Sequence, residues 1–321
     1  MRIYDSILEL VGKTPLVRTR LFKEFKKAEV VLKLESFNPM GSVKDRIAIH
    51  MIEDAEKMGI LKPGMTVVES TSGNTGAGVA LVCLLKGYKC VLTVPDKVSK
   101  EKIDLLRALG AEVIICATNV PPESPESYYS VAKRIAEERG GIYLNQYENP
   151  ANPLAHYLTT GPEIWEDTEG KVDVVVAGIG TGGTLTGVGK FLKERKNVET
   201  VAVDPVGSVY YDYFYKGKWE EAHQYLIEGI GEDFIPSTID FNYIDRIYRV
   251  EDKEAYEWAR KLAVVDGILS GSSAGAALAG TYKYLKENDG YKLVVVIIPD
   301  SGFRYLSKVF NEDWLREKGL L

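Results

Sequence analysis

Lys44 stands where a cation is poorly accommodated. In NPMGSVKDRIAIH, residues 38–50, Pro39, Met40 and Gly41 read as a tight turn, Ser42 as a helix N-cap and Asp45 as its capping-box partner. Lys44 then falls in the first turn of a helix, whose N-terminus already carries roughly half a positive charge. That field favours the neutral amine, the form that attacks a carbonyl carbon to make an imine.

Three loops of small residues supply the other candidate chemistry. ESTSGNTGAGVA, 69–80, runs from the end of a strand into a helix, with Thr71, Ser72, Gly73 and Asn74 between them. Backbone N–H groups in such a loop, reinforced by the helix dipole, suit a carboxylate. AGIGTGGTLTGVGK, 177–190, offers backbone donors and the hydroxyls of Thr181 and Thr184 to a phosphate. Its Gly178, Gly180 and Gly183 also have the GxGxxG spacing, and Asp204 closes the next strand. On this loop alone a dinucleotide site is a serious rival. GILSGSSAGAALAG, 267–280, again precedes a helix, near Ser273, and is the weakest of the three. Pyridoxal 5′-phosphate would use all of these features. It needs an amine for its imine, a cradle for its phosphate, partners for its phenolic oxygen and ring nitrogen, and a pocket for a substrate carboxylate. A nicotinamide dehydrogenase has no role for Lys44 or for TSGNT.

The elements that must position these groups alternate along the chain. Valine- and isoleucine-rich runs at 30–35, 66–70, 90–95, 112–116, 172–178, 200–204 and 293–299 read as strands buried on both faces, as in parallel sheets. Helical patterns lie near 43–58, 75–86, 98–109, 126–139, 184–195, 252–265, 273–287 and 303–317. The alternation predicts an α/β fold of two three-layer αβα domains with mainly parallel sheets. One domain is a smaller, mobile one over 40–147 that carries the carboxylate loop. The other is a larger one over 1–39 plus 148–321 that carries the phosphate loop.

Bulk properties exclude several classes. Hydrophobic residues make up 45 % and charged residues 27 %, and the net charge of −6 contains no long run of one sign. Nucleic acid and membrane surfaces are therefore not expected as partners. The longest apolar runs are too short to span a bilayer, and the first residues show no signal-peptide pattern, so a cytoplasmic location is expected. Cys83, Cys90 and Cys116 lie in or beside apolar runs with no CxxC pair, and read as buried structural thiols. His50, His156 and His223 are isolated, which argues against a metal site, a zinc centre or a Ser-His-Asp triad.

NPMGSVKDR, STSGNTG, QYENPANP, GIGTGGTLTG and IIPDSGFRYLS, in this order, resemble the cysteine synthase / cystathionine β-synthase family, fold-type II enzymes similar to the tryptophan synthase β chain. The resemblance runs from about residue 5 to the C-terminus. It implies that Lys44 is the imine-forming lysine and that Asn74 bonds the cofactor's phenolic oxygen. Gly180, Thr181, Gly182, Gly183 and Thr184 would hold the phosphate, and Ser273 would face the pyridine nitrogen. Thr71, Ser72, Gly73, Thr75 and Gln146 would bind the substrate carboxylate, with Gly229 in a segment lining the entrance. It also implies a homodimer. A neutral serine at the pyridine nitrogen makes a weaker electron sink than an aspartate would allow, which favours prompt loss of a β-substituent over a long-lived carbanion.

The implied reaction is β-replacement on a serine derivative, O-acetylserine or O-phosphoserine, with sulfide. It would pass through an α-aminoacrylate and give L-cysteine, with Lys44 as the general base. Cystathionine formation from serine and homocysteine is the alternative, and a serine/threonine dehydratase a more distant one. TTGPEIW and PDSGFRYLS look like cysteine synthases, with Phe303 where those enzymes often carry glutamate; SPESYYSVA, NPLAHY, DPVGS and EGIGEDFIP look like cystathionine β-synthases. Only about ten residues precede GKTPL and little follows the last motif, so the chain reads as a stand-alone catalytic unit. Arg304, Lys216 and Lys218 are candidates for an extra cation at a phosphate leaving group.

Overall fold

The structure, a computed structural model, describes residues 3–96, 98–117, 120–121, 123–219, 221–290 and 292–321. In chain order it contains β1 (Leu16–Arg18), β2 (Ala28–Leu34), α1 (Lys44–Lys57), β3 (Thr66–Ser70), α2 (Asn74–Lys86), β4 (Lys89–Pro95), α3 (Lys100–Ala108), β5 (Glu112–Cys116), α4 (Tyr128–Glu138) and β6 (Ile142–Tyr143). A longer second half follows: α5 (Ala151–Ala155), which runs through a π turn at His156–Thr160 into α6 (Gly161–Asp167), then β7 (Val174–Gly178), α7 (Gly183–Lys193), β8 (Glu199–Pro205) and α8 (Tyr210–Lys216). The chain ends with β9 (Arg246–Val250), α9 (Asp252–Asp266), α10 (Ser272–Glu287), β10 (Lys292–Ile298) and α11 (Glu312–Glu317).

Two compact units result. One holds the described residues of Met1–Val11 together with Lys44–Asn152, the other Gly12–Val43 together with Pro153–Leu321. Against the division read from the sequence, the opening residues group with the smaller unit. Thr14 and Pro15 are tied to β2 of the larger sheet, their carbonyls accepting Lys33 Nζ at 2.6 Å and the Leu34 N–H at 3.0 Å, and the change of unit falls ahead of them, between Val11 and Gly12. One crossing between units falls between Val43 and Lys44.

The larger unit is built on a six-stranded sheet of order β1-β2-β10-β7-β8-β9, parallel except for β1. Alternation along its central strands feeds two cores. Val174, Val176, Val294, Val296 and Ile298 pack with the alanine-rich face of α10, while Val175, Ala177, Val295 and Ile297 pack with Leu185, Val188 and Leu192 of α7. The smaller unit has a parallel four-stranded sheet, β5-β4-β3-β6. Val68 and Val91 meet Val131, Ala132, Ile135 and Ala136 of α4 on one face. Helices α2 and α3 pack on the sheet from the other helical layer.

Two expectations need correction. The pattern at 303–317 is not one helix: a 3-10 turn covers Gly302–Tyr305, and α11 starts only at Glu312, where Asn311 Oδ1 accepts the Trp314 N–H at 3.0 Å. The sequence reading also passed over β1, β6, β9, α8 and the helix from Ala151 to Asp167.

Candidate active site

In the smaller unit Lys44 is the first residue of α1 and is half-buried. What holds it is a close helix contact. A Cβ built on Gly78 of α2 would lie 3.0 Å from Ala48 Cβ, 3.2 Å from the Lys44 carbonyl oxygen and 3.3 Å from Asp45 Cα. Glycine therefore lets α2 rest on the first turn of α1.

At the end of β3 the chain turns through Thr71, Ser72 and Gly73 into α2. Gly73 has φ +140°, a backbone state that side chains rarely adopt, and the Lys102 stem comes within 3.0 Å of where its Cβ would be. The buried Thr71 hydroxyl oxygen accepts the N–H groups of Gly73 at 3.0 Å and Gly76 at 3.1 Å, which leaves its own O–H proton to donate. Thr75 Oγ1 donates to Gln146 Oε1 at 2.7 Å, and Gln146 Nε2 donates to the Ser70 carbonyl at 3.1 Å. Thr71, Gly73, Thr75 and Gln146 are thus joined in one buried corner, with Ser72 exposed and Asn74 half-buried beside it. Beneath the corner the Glu69 carboxyl is fully buried, and burial pushes it up to about 8.

In the larger unit the loop between β7 and α7 is held from behind. The carbonyl of Ile179 accepts the Gly231 N–H at 2.7 Å, that of Gly180 the Tyr210 hydroxyl, and that of Thr181 the Thr238 hydroxyl at 2.6 Å. Three negative carbonyl ends are thereby committed to protein partners, away from any guest of the loop. A Cβ on Gly180 would lie 2.9 Å from the Gly229 carbonyl oxygen, so the two glycines pass close to each other. Gly182, at φ +80°, is the N-cap of α7. Thr184 lies in the first turn of α7, where its Oγ1 is 3.3 Å from His156 Nε2, and His156 Nδ1 is 2.8 Å from Thr160 Oγ1. His156 is fully buried. It reaches Thr184 because α7 lies directly on the π turn: a Cβ on Gly187 would be 2.2 Å from the Pro153 carbonyl oxygen. Sequence reasoning set His156 aside as isolated; the signal it left was the mid-helix glycine pair in TGVGK.

Ser273, buried, is the second residue of α10. Its neighbour Ser272 accepts the Glu228 N–H at 3.0 Å, and Asp300 accepts the Gly271 N–H at 3.3 Å and the Tyr305 hydroxyl at 2.5 Å. Asp204, the acid of the dinucleotide reading, is fully buried and accepts the Tyr211 N–H at 3.0 Å, capping α8. Lys216 is paired with Asp212 at 2.7 Å, Arg304 donates to the Met40 carbonyl, and Lys218 is exposed.

These residues fit a phosphorylated cofactor. Helices α2, α7 and α10 begin at glycine N-caps, Gly73, Gly182 and Gly271, which have no side chain of their own to cap the first turn; Thr71 takes the Gly76 N–H and Thr181 the Gly183 N–H from outside the helices. By contrast Ser127 and Asn311 cap α4 and α11 with their own oxygens. Uncapped amides at a helix N-terminus are anion donors. Among the described residues no cluster of His, Cys, Asp or Glu could hold a metal, and no helix is long and apolar enough to cross a membrane. The three cysteines are buried and free.

Comparison with known proteins agrees with this reading. The chain is 46 % identical over its full length to cystathionine β-synthase of Oryctolagus cuniculus and of Apis mellifera, covering 59 % and 64 % of those proteins. It therefore spans about three-fifths of the length of the curated relatives it matches. Among solved structures it resembles O-ureido-L-serine synthase, with 37 % identity, a TM-score of 0.87, and 98 % of this chain and 100 % of that one covered. It also resembles a hydrogen sulfide-producing enzyme from Fusobacterium nucleatum, with 38 % identity, a TM-score of 0.87, and 95 % and 98 % covered. Residues 7–300 match the family described as pyridoxal-phosphate dependent enzymes, and the chain belongs to that family.

Proposed function

We propose that this chain replaces the β-substituent of an O-activated serine, O-acetylserine or O-phosphoserine, with sulfide to form L-cysteine. The observation that carries the reading is the joined corner of Thr71, Gly73, Thr75 and Gln146, in the same unit as a lysine at the first position of a helix. That corner is a set of small neutral donors suited to an amino-acid carboxylate. Lys44 is proposed as the cofactor's covalent attachment point and as the base that takes the Cα proton. Asn74 is assigned to its phenolic oxygen, the 180–184 loop to its phosphate, and Ser273 to its ring nitrogen. When bound, the cofactor supplies the electron sink that lets the β-substituent leave. Thr71 donates its remaining hydroxyl proton to the carboxylate. Gln146, fixed at both ends of its amide, keeps Thr75 in place. Ser273, uncharged, leaves the ring nitrogen without a full positive charge.

A second reading, cystathionine formation from serine and homocysteine, is favoured by the names of the relatives at 46 % identity. Steady-state rates with O-acetylserine, O-phosphoserine and serine, each against sulfide and homocysteine, decide between them. If serine with homocysteine is fastest by far, the first reading fails. Lys44→Ala tests the attachment: the holoenzyme should lose its yellow, borohydride-reducible band. A variant that keeps this band refutes the assignment.

A further inference from the structure

Glu69 occupies a place that the proposed reaction does not use. It is the fourth residue of β3, fully buried, one residue ahead of the strand end that Gln146 grips. Strand alternation puts it on the face of Val67, toward α2, where the buried helix positions are small or apolar. Its Oε1 takes the Gln146 N–H at a long 3.4 Å, and the amides of Asn145 and Ser70 also face the carboxyl. Its Oε2 is buried and has no hydrogen-bond partner among the described residues. The turn it touches passes through the left-handed region at Asn145, φ +51°, a conformation that asparagine tolerates.

We propose that Glu69 is a positioning residue for substrate binding: its uncharged carboxyl holds the 145–146 turn, and hence Gln146, in place for the substrate's carboxylate. The inference rests on the proposed assignment of Gln146 to that carboxylate.

A neutral carboxyl sits in this pocket at little cost. A carboxylate there has only a long hydrogen bond and facing amides on one side and an orphaned second oxygen on the other, too little to offset its burial. The turn offers an escape, because opening it lets water reach the carboxylate. The side chains electrostatically coupled to Glu69, Cys90 on β4 and Tyr143 on β6, add no compensating positive charge. Burial raises the Tyr143 hydroxyl, and the neighbouring Cys83 and burial raise the Cys90 thiol, so both remain neutral alongside it. The α4 face on the sheet is apolar, apart from Tyr128 at its start. Burial holds Glu69 protonated until about pH 8, so the loss should fall on the alkaline side.

The test compares wild type, E69Q, E69A and Q146A. The amino-acid KM is measured from pH 7 to 9 with O-acetyl-L-serine and sulfide, or with L-serine and homocysteine, whichever pair turns over faster. At pH 9 about a tenth of Glu69 would remain neutral, so the wild-type KM should rise about tenfold over pH 7. E69Q, uncharged at every pH, should rise about twofold or less, with cofactor and substrate titrations common to both proteins. E69A and Q146A should both raise KM at pH 7 more than they lower kcat. Urea unfolding of the cofactor-stripped proteins supplies a readout independent of turnover: from pH 6 to 9 the wild-type midpoint should fall further than that of E69Q, which keeps only the contribution of other raised groups such as Asp204. An equal KM rise in wild type and E69Q overturns the proposal, even if the unfolding difference is present, because Glu69 is then only structural. A raised KM in Q146A with an unchanged one in E69A overturns it as well, and leaves the Gln146 assignment standing. An unchanged KM in Q146A removes that assignment, and this inference with it.

Discussion

Gly78→Ala is a small change whose effect should appear in catalysis before it appears in stability. The added methyl meets Ala48 Cβ at 3.0 Å, the Lys44 carbonyl oxygen at 3.2 Å and Asp45 Cα at 3.3 Å. Carbon atoms pack at about 3.5–4.0 Å, so α2 and the first turn of α1 must part by about half an ångström. Overpacking of this kind costs about 1–3 kcal/mol, here at the low end because one methyl is added. Replacing glycine by alanine inside a helix returns about 0.8–1 kcal/mol. Net stability should therefore move by no more than about 1 kcal/mol. Lys44 has no such compensation, since its backbone is what the methyl pushes. A displacement of 1 Å at a reacting group can cost about a hundredfold, so half of that predicts a loss of about tenfold in kcat. Urea unfolding and steady-state turnover, run on the same preparation, separate the two effects. A variant with kcat within twofold of wild type would show that the α1–α2 contact does not set the position of Lys44. A variant destabilised by several kcal/mol would show that the fold, and not the lysine, absorbs the strain.

His156→Asn removes the imidazole that reaches Thr184 while keeping a polar group in the π turn. Losing one such hydrogen bond, worth about 1 kcal/mol, should weaken cofactor retention about fivefold, measured by equilibrium dialysis, and an unchanged affinity removes His156 from the cradle. Stability should also fall from acid toward neutral pH. Burial raises Glu69 from its ordinary 4.5 to about 8 and Asp204 from 3.8 to about 7. Both groups bind more protons folded than unfolded over those windows, so stability is lost as pH rises through them. For Glu69 the rise caps the loss at about 5 kcal/mol, at about 1.4 kcal/mol for each tenfold change. Glu56, Glu112 and Asp173 are shifted the opposite way and lose their contribution only in stronger acid. The melting temperature should therefore peak near pH 5, and Asp204→Asn should flatten its decline between about pH 5 and 7; a wild-type peak above pH 8 contradicts this account.

Much of the fold was legible because the central strands are buried on both faces, and buried strands can be written only in valine, isoleucine and their like. The edges carry weaker signals. Strand β9 reads RIYRV, alternating cations with apolar residues, because it pairs on one side alone and Arg246 reaches Glu199. The helix from Ala151 to Asp167 was hidden by two prolines and a glycine, which read as breakers; Pro162 instead occupies its usual place at the start of α6. The N-terminal residues have no strand partner in the larger sheet, and no pattern in them points to the smaller unit. Among the site residues, the Thr71 to Gln146 corner was readable as a cluster of types. The bonds that lock it depend on β6 pairing beside β3, which two residues of strand cannot announce.

The glycines explain why the site is hard to see as a list of side chains. At Gly73 and Gly182 the backbone takes a positive φ, and at Gly78 and Gly187 it allows one helix to lie on another or on the π turn. None of these four touches a reacting atom in the proposed reaction. Each fixes where an amide, a lysine or a histidine stands. In the proposed site the anion donors are amides at the starts of α2, α7 and α10, which any residue but proline could supply. What the sequence must encode is therefore mainly the absence of side chains, at helix starts and helix crossings. Alanine at Gly78, where the added methyl meets its neighbours at 3.0 Å or more, should consequently cost more activity, relative to stability, than a conservative exchange of a neighbouring threonine or serine.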